Sequence, residues 1–439
     1  MSERYRQQFD AFLHDGARQD PSWVNKLRKH GMESFESLGF PTTKNEDWHF
    51  TSVSAIAEQD FTFVAASTGD VEASDVDAFR FAPDWHTAVF VNGRFAPRLS
   101  SLHGLDAAVK FYPLADAWTS VPELTKRVGT IVARREKHAF TGLNSAFMPD
   151  GAVLHIGRDA APAMPIHLVF LSDANAAKTV MYPRNLIVAE RGSRATVVES
   201  YVSLGDAVYF TNAVTEVMVG DGATLEHYKV QRESRRAFHV GTVEAEQARD
   251  SHYISFSFAA GAELSRTNIY TNLNGEGCGS TLNGLYMLDG DQHCDHQTRI
   301  EHAQPNCFSR EVYKGVLDGR SHGVFNGKVY VHPVAQKTDG KQTNNTLLLS
   351  KDAQVDTKPQ LEIFADDVKC THGATVGRLD DVALFYMKSR GVNAETARRL
   401  LIYAFAAGVL ESIAQAEVRQ ALERVTLERF VKDEELSTV

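Results

Sequence analysis

Apolar positions along this chain follow three successive patterns. Tyr5, Phe9, Phe12 and Leu13 recur at helical spacing, and Leu27 to Leu38 carry a second, weaker helical pattern that Pro41 closes. In Ala88-Val-Phe-Val-Asn-Gly-Arg-Phe95 the pair Asn92-Gly93 supplies the positive φ angles of a tight hairpin, and Pro122 to Phe147 returns to a helical pattern. From about Gly151 to Tyr386 the pattern changes to short apolar alternations such as Ile254-Ser-Phe-Ser-Phe258, broken by Gly, Asp and Asn. This predicts a long all-β block. The last part is helical again. Asn393 offers an N-cap, Leu400, Leu401, Tyr403, Ala404, Ala407 and Leu410 form a helix apolar over more than one face, and Val418, Leu422, Val425 and Phe430 give an amphipathic second one. The division is therefore 1–150, helical and α/β; 151–386, β; and 387–439, helical.

The β block repeats. Gly192-Ser-Arg-Ala-Thr-Val aligns with Gly220-Asp-Gly-Ala-Thr-Leu at an offset of 28, and Leu288-Asp-Gly-Asp-Gln-His293 with Leu317-Asp-Gly-Arg-Ser-His322 at an offset of 29. Units of that length cannot bury their own apolar faces and must stack on their neighbours, which favours a β-solenoid over a sandwich or propeller. A solenoid end exposes unpaired strand edges, so the flanking helices are expected to cap it. The two C-terminal helices are too small for a core of their own and must pack on the β block or on another protein.

Composition narrows the functional classes. With 439 residues the chain is beyond the usual reach of one compact core. Fifty-six acidic against 46 basic residues give a formal net charge of -10, the wrong sign for general attraction to phosphate backbones or anionic lipid. The first residues lack the apolar stretch of a secretory signal, and the longest apolar run, Leu400 to Leu410, is too short to span a bilayer, so a soluble cytoplasmic protein is expected. Four cysteines (Cys278, Cys294, Cys307, Cys370) without a Cys-x-x-Cys pair do not make a disulfide framework. Gly323-Val-Phe-Asn-Gly-Lys328 is one residue short of a phosphate loop and is followed by Val329, so no nucleotide site of its own is expected. Glycan cleavage would need paired carboxylates along one groove, and none stands out.

Two clusters carry candidate chemistry. In His293-Cys294-Asp295-His296, with His302 and Cys307 downstream, strand geometry puts Cys294 and His296 on one face and His293 and Asp295 on the other. Either a free-standing metal site or four polar residues on a solvent-facing strand fits this. In Lys369-Cys370-Thr371-His372-Gly373 a strand places Cys370 and His372 on one side, a thiol and an imidazole suited to iron or zinc. Two ligands are half a site, and a second chain is the natural source of the rest. A buried structural Cys beside a surface His is the alternative. The Asn45-Glu-Asp-Trp-His-Phe-Thr51 segment reads as a Trp anchoring a loop or as a surface motif.

The runs Gln342-Thr-Asn-Asn-Thr-Leu-Leu-Leu-Ser350, Asp356 to Gly377 (with Asp-Asp-Val-Lys-Cys-Thr-His-Gly-Ala-Thr-Val-Gly) and Leu384-Phe-Tyr-Met-Lys-Ser-Arg-Gly391 closely resemble the SufB/SufD family of iron-sulfur cluster assembly proteins. The length, Gly373 after the His, the Asn45 to Phe50 segment and Ala397-Arg-Arg-Leu-Leu401 resemble its SufD branch. That resemblance implies a mainly β fold, a right-handed parallel β-helix between helical ends. It also implies a non-catalytic scaffold of a SufBCD complex, paired with SufB through the β-helices and bound to the SufC ATPase through the C-terminal helices. His372 is then similar to the residue thought to help hold a transient iron-sulfur cluster shared with SufB, with Cys370 a weaker candidate. The resemblance assigns no role to the His293 to His296 cluster, and leaves open both flavin binding by the complex and a homodimer of the isolated chain.

Overall fold

The computed structural model describes residues 2–15, 20–63, 71–132 and 138–429; Phe430, assigned above to the last helix, lies outside them. The alternating segments form a parallel β-solenoid in which successive strands fall alternately into two sheets. One sheet runs from Val109–Pro113 through Ala152–Ile156, Arg184–Ala189 and Phe210–Val219 to Gln354–Ile363; the other from Arg94–Phe95 and His86–Val91 through Arg194–Ser203 and Thr224–Arg232 to Lys369–Gly377. Two-residue periodicity then gives each strand an inward and an outward row.

The repeat at an offset of 29 coincides with the observed register, which pairs Leu288 with Leu317 and His293 with His322. The match at 28 slips by two residues, since Arg194 pairs with Thr224. The coil corner explains the slip. Gly192, Gly222, Asp250, Gly277, Asn306 and Lys337 all have positive φ at equivalent corners. Each donates its N–H to the next coil, Gly192 to Asp221, Gly222 to Arg249, and so on to Lys337 on Asp367, at 2.7–3.2 Å. The glycine matching Gly192 is Gly222, not Gly220, because the left-handed corner residue sets the register. A slip of two keeps every side chain on its face.

The predicted hairpin is present. Phe90 pairs with Phe95 across Asn92 (φ 48) and Gly93 (φ 79). The Pro122 to Phe147 pattern is not one helix: Pro122–Thr125 and Ala139–Phe147 are helical, and residues 126–131 are turns. Here the Gly129 and Ile131 N–H groups donate to the Glu216 carboxylate at 2.7 and 3.1 Å instead of continuing a helical ladder. Glu216 also receives Arg184 at 2.6 Å, and both side chains are fully buried. The helix Ser22–Leu38 crosses Ala139–Phe147 at Gly31, where a Cβ would lie 2.6 Å from the Gly142 carbonyl oxygen.

The C-terminal helices cover a flank of the solenoid and cap neither end. Ile402, Ala406, Val409, Leu410, Val418 and Leu422 are buried against the outward row of Tyr228, Phe256, Phe258, Leu285 and Met287. Among the described residues no helix is long and apolar enough to cross a membrane.

The solenoid interior is apolar toward the N-terminal end and acquires a hydrogen-bonded polar layer midway. Glu199 accepts from Tyr201 (2.8 Å), Thr215 (2.7 Å) and His227 (3.1 Å). Lys229 meets His239 at 2.7 Å, and His239 in turn faces Glu233 at 2.7 Å. Burial works against both carboxylates, but their donors outweigh it and hold Glu199 and Glu233 below the usual range, while burial pushes Lys229 down to about 8.

Two predictions follow from these buried charges. Glu216→Ala leaves Arg184 charged without its carboxylate partner and strips the Gly129, Ile131 and Val132 N–H donors of their acceptor, so stability should fall by about 3–5 kcal/mol, seen as a lower denaturant midpoint; an unchanged midpoint would show that the pair does not tie the N-terminal region to the solenoid. Burial also pushes His167 and His296 down to about 3 and His293 and His302 to about 4. The unfolded chain takes up these protons below its pKa near 6.5 while the folded chain does not, so these groups lose stability as pH falls from about 6.5 to 4. Glu199 and Glu233, depressed in the fold, lose stability in the same sense at lower pH. Glu311, raised by burial to about 7, contributes the opposite slope between about 4.5 and 7, and Asp150, also raised by burial, acts in the same sense, but these are two groups against four histidines. The urea midpoint should therefore drop between pH 6.5 and 4; a flat or rising profile on acidification contradicts this.

Candidate functional site at the open end

Among the described residues the strand Lys369–Gly377 pairs only with Asp339–Leu348, and Gln354–Ile363 only with His322–Val331, so each sheet ends in a free edge. In Lys369–Gly377 every residue but Cys370 is exposed. Ile363, Phe364 and Val376 add apolar surface to this rim.

Register fixes what the last strand presents. Cys370 pairs with Gly340, His372 with Gln342, Ala374 with Asn344 and Val376 with Thr346. Since Gln342, Asn344 and Thr346 are buried between the sheets, Cys370 and His372 lie on the same inward row, one strand spacing further out, where the solenoid stops. The predicted sharing of one face is met. The Cys370 thiol is half-buried, above Gly340, where a Cβ would stand 3.3 Å from its Sγ. Burial pushes this thiol up, with the Asp339 carboxylate adding to the shift, so on its own it stays protonated at neutral pH. Among the described residues no group of three or more His, Cys, Asp or Glu side chains is placed to hold a metal ion. What the end offers is one imidazole and one thiol on an exposed strand.

The residues behind this pair were not singled out as site residues by the sequence. Gln342 Nε2 donates to Glu311 Oε2 at 2.7 Å, and both side chains are fully buried. Counting back one coil, 30 residues, from His372 would have found Gln342, but that count requires the register.

The other cluster divides as its spacing predicted, yet both faces are covered, with only His293 partly exposed. Cys294 and His296 point inward, with Sγ 3.6 Å from Nδ1 and the other ring nitrogen 3.3 Å from the Ser257 hydroxyl. Burial pushes the Cys294 thiol up to about 12. On the outer face Thr51 reaches both His293 (2.9 Å) and Asp295 (2.6 Å), and Arg266 donates to Asp295 at 2.7 Å. The solvent-facing reading is thus corrected, because the N-terminal segment folds over this face. His302 pairs with Ser309 at 3.0 Å, and Cys307 sits with Cys278 at a coil corner, so His293, Cys294, His296 and His302 do not converge. The Asn45 to Thr51 segment is an anchor. Trp48 is buried, packs on Phe140, and lies under the Arg266 guanidinium at 3.6 Å.

The phosphate-loop-like run forms the strand His322–Val331, where Gly323 and Gly327 face inward and Lys328 points outward to Glu362 at 2.8 Å. Beyond the last strand, Asp380 caps the helix Asp381–Ser389 by accepting from the Val382 and Ala383 N–H groups. That helix buries no residue; Val382 (76%), Phe385 (72%) and Tyr386 (58%) are exposed, as is Leu400 on the next helix.

Comparison with known proteins gives this arrangement a context. Residues 170–405 match the model of the SUF system FeS cluster assembly SufBD core domain, and residues 1–168 that of the SufBD protein N-terminal region. The chain is 34% identical over 425 residues to the iron-sulfur cluster assembly protein SufD of Escherichia coli, covering 95% of each. It is 34% identical over 419 residues to a Synechocystis iron-sulfur cluster assembly SufBD family protein, covering 92% of this chain and 90% of the relative. To SufD of Bacillus subtilis it is 29% identical over 430 residues, covering 94% and 95%. A parallel solenoid ending in a free strand, matched over nearly its whole length by such relatives, places this chain in the SufB/SufD family of iron-sulfur cluster assembly proteins, as a SufD-type member.

Proposed function

We propose that this chain is a non-catalytic scaffold subunit of a cytoplasmic SufBCD complex. Residues 151–386 would pair with SufB, the C-terminal region from 387 would dock the SufC ATPase, and 1–150 would brace the solenoid. The observation that supports the pairing is the open end itself. Two unpaired edges and the apolar side chains Ile363, Phe364 and Val376 are the kind of surface that a second β-helix covers. His372, with Cys370 beside it, would supply ligands to a nascent iron-sulfur cluster, the cargo of the complex, with SufB providing the rest. Imidazole and thiolate are both suited to iron, and binding would draw the proton from the otherwise protonated Cys370 thiol.

For SufC, the favoured dock starts slightly ahead of residue 387, at the exposed Val382, Phe385 and Tyr386 of the helix Asp381–Ser389, and takes in the exposed Leu400, since the buried faces of the following helices are already spent on the solenoid flank. Removing those helices would uncover that flank, so truncation is a poor test and a surface substitution a better one.

Coexpression with SufB and SufC tests both sites. His372→Ala should copurify as the complex yet load about tenfold less iron and sulfide, or lower still, than the unmodified complex; loading at the unmodified level would remove His372 from the site. Phe385→Asp should weaken SufC binding about thirtyfold, the factor expected for losing an aromatic anchor worth about 2 kcal/mol, with a nearly unchanged melting temperature because Phe385 is 72% exposed in the free chain. Retention of SufC with unmodified affinity would move the dock elsewhere.

A further inference from the structure

Directly inward of His372 lies a polar column that the cluster-holding reading does not use. Glu311, Gln342 and His372 are register partners on three consecutive strands of one sheet. Glu311 and Gln342 are fully buried. A carboxylate and a carboxamide buried at a solenoid end cost stability unless every polar atom is used, yet neither Gln342 Oε1 nor Glu311 Oε1 has a hydrogen-bond partner among the described residues.

With Glu311 ionised, above about pH 7, the amide cannot choose its orientation freely. Its Nε2 donates to Glu311 Oε2 at 2.7 Å, which directs the NH2 group toward the deeper coil and leaves the oxygen for another donor. From the facing sheet the amide lies over Gly327, where a Cβ would run into Gln342 Nε2 and Cδ. Gly327 belongs to the run that looks like a phosphate loop; its lack of a side chain makes room for this amide. The next position outward on the same row is His372, whose exposed imidazole lies one strand spacing away, about 4.8 Å between backbones, and makes no hydrogen bond to Gln342 where it stands.

We infer that the exposed His372 ring turns so that Gln342, held by Glu311 and Gly327, accepts its ring N–H, which fixes which imidazole nitrogen keeps its lone pair for a ligand. A metal-binding histidine ordinarily donates its second ring N–H to such an acceptor, which sets both tautomer and ring direction. Gln342 and Glu311 are positioning residues, since neither reaches the open rim. The functional meaning of the contact rests on His372 holding iron; the contact itself does not.

The test is the tautomer ratio of His372, read from its ring 15N shifts in the intact isolated chain at a pH where it is neutral. In the unmodified chain the ratio should be biased about fivefold from that of free imidazole, the factor a net hydrogen bond supplies. Gln342→Leu should abolish the bias, and Gln342→Glu, which keeps an oxygen acceptor there, should retain it. Gly327→Ala leaves every polar group in place but displaces the amide, and should abolish it too, which covers the case of a Leu variant that does not fold. No bias in the unmodified chain, or a bias that survives both Gln342→Leu and Gly327→Ala, overturns the inference. The two readings fail separately. Normal cluster loading by His372→Ala, with the bias behaving as stated, would sink the iron reading and leave the contact standing. A loading defect in His372→Ala, with a bias indifferent to Gln342, would do the reverse.

Discussion

The constraint on which the rest of the molecule depends is in-register stacking of parallel coils. Each strand finds its hydrogen-bond partners one coil away, and the left-handed corners from Gly192 to Lys337 pass an N–H to the next corner in the same direction. A side chain that points inward on one coil therefore has an inward-pointing neighbour on the next, and errors of one residue would turn whole rows inside out. The same rule has a cost at the end of the stack. The last coil has the same unpaired backbone groups as every coil before it, with no further coil to take them.

Stacking also explains how so many polar groups are held inside. A lone buried carboxylate is expensive, but a row one strand apart lets donors converge from neighbouring coils and from the facing sheet. Glu199 is served by Tyr201 on its own strand, His227 one coil on, and Thr215 across the interior. At Gln342 the convergence stops, because the coil that would have supplied the next donor is the exposed last strand. An unfinished network and an unfinished sheet therefore occur at the same place, and for the same reason.

Much of this was legible in the residues. Alternation marked the strands, the pairing of Leu288-Asp-Gly with Leu317-Asp-Gly gave the coil length, and period two put Cys370 beside His372 and split His293 from Cys294. What was not legible came from long-range contacts. The break after Thr125 depends on Glu216, 87 residues from Gly129, and the burial of Asp295 depends on Thr51, 244 residues away. Local periodicity contains neither partner. The amphipathic C-terminal helices announced an apolar face, but not that the outward row of Tyr228 to Met287 would occupy it. The Gly192 to Gly220 match failed because local similarity was scored and corner conformation was not.

The location of the candidate ligands is then a consequence of architecture. A thiol and an imidazole placed midway along the solenoid become a buried pair such as Cys294 and His296, shielded from partners, the thiol pushed up to about 12 and the ring down to about 3. The same two residue types, in the same alternation, on the last strand keep one face toward an ordered interior and the other toward whatever binds the edge. Interior rows can give rigidity and edges can give access, and the terminal coil is where a single strand has both. A second chain that completes the sheet would desolvate Cys370 and His372 in the act of binding, so that assembly of the interface and assembly of the ligand set become one event.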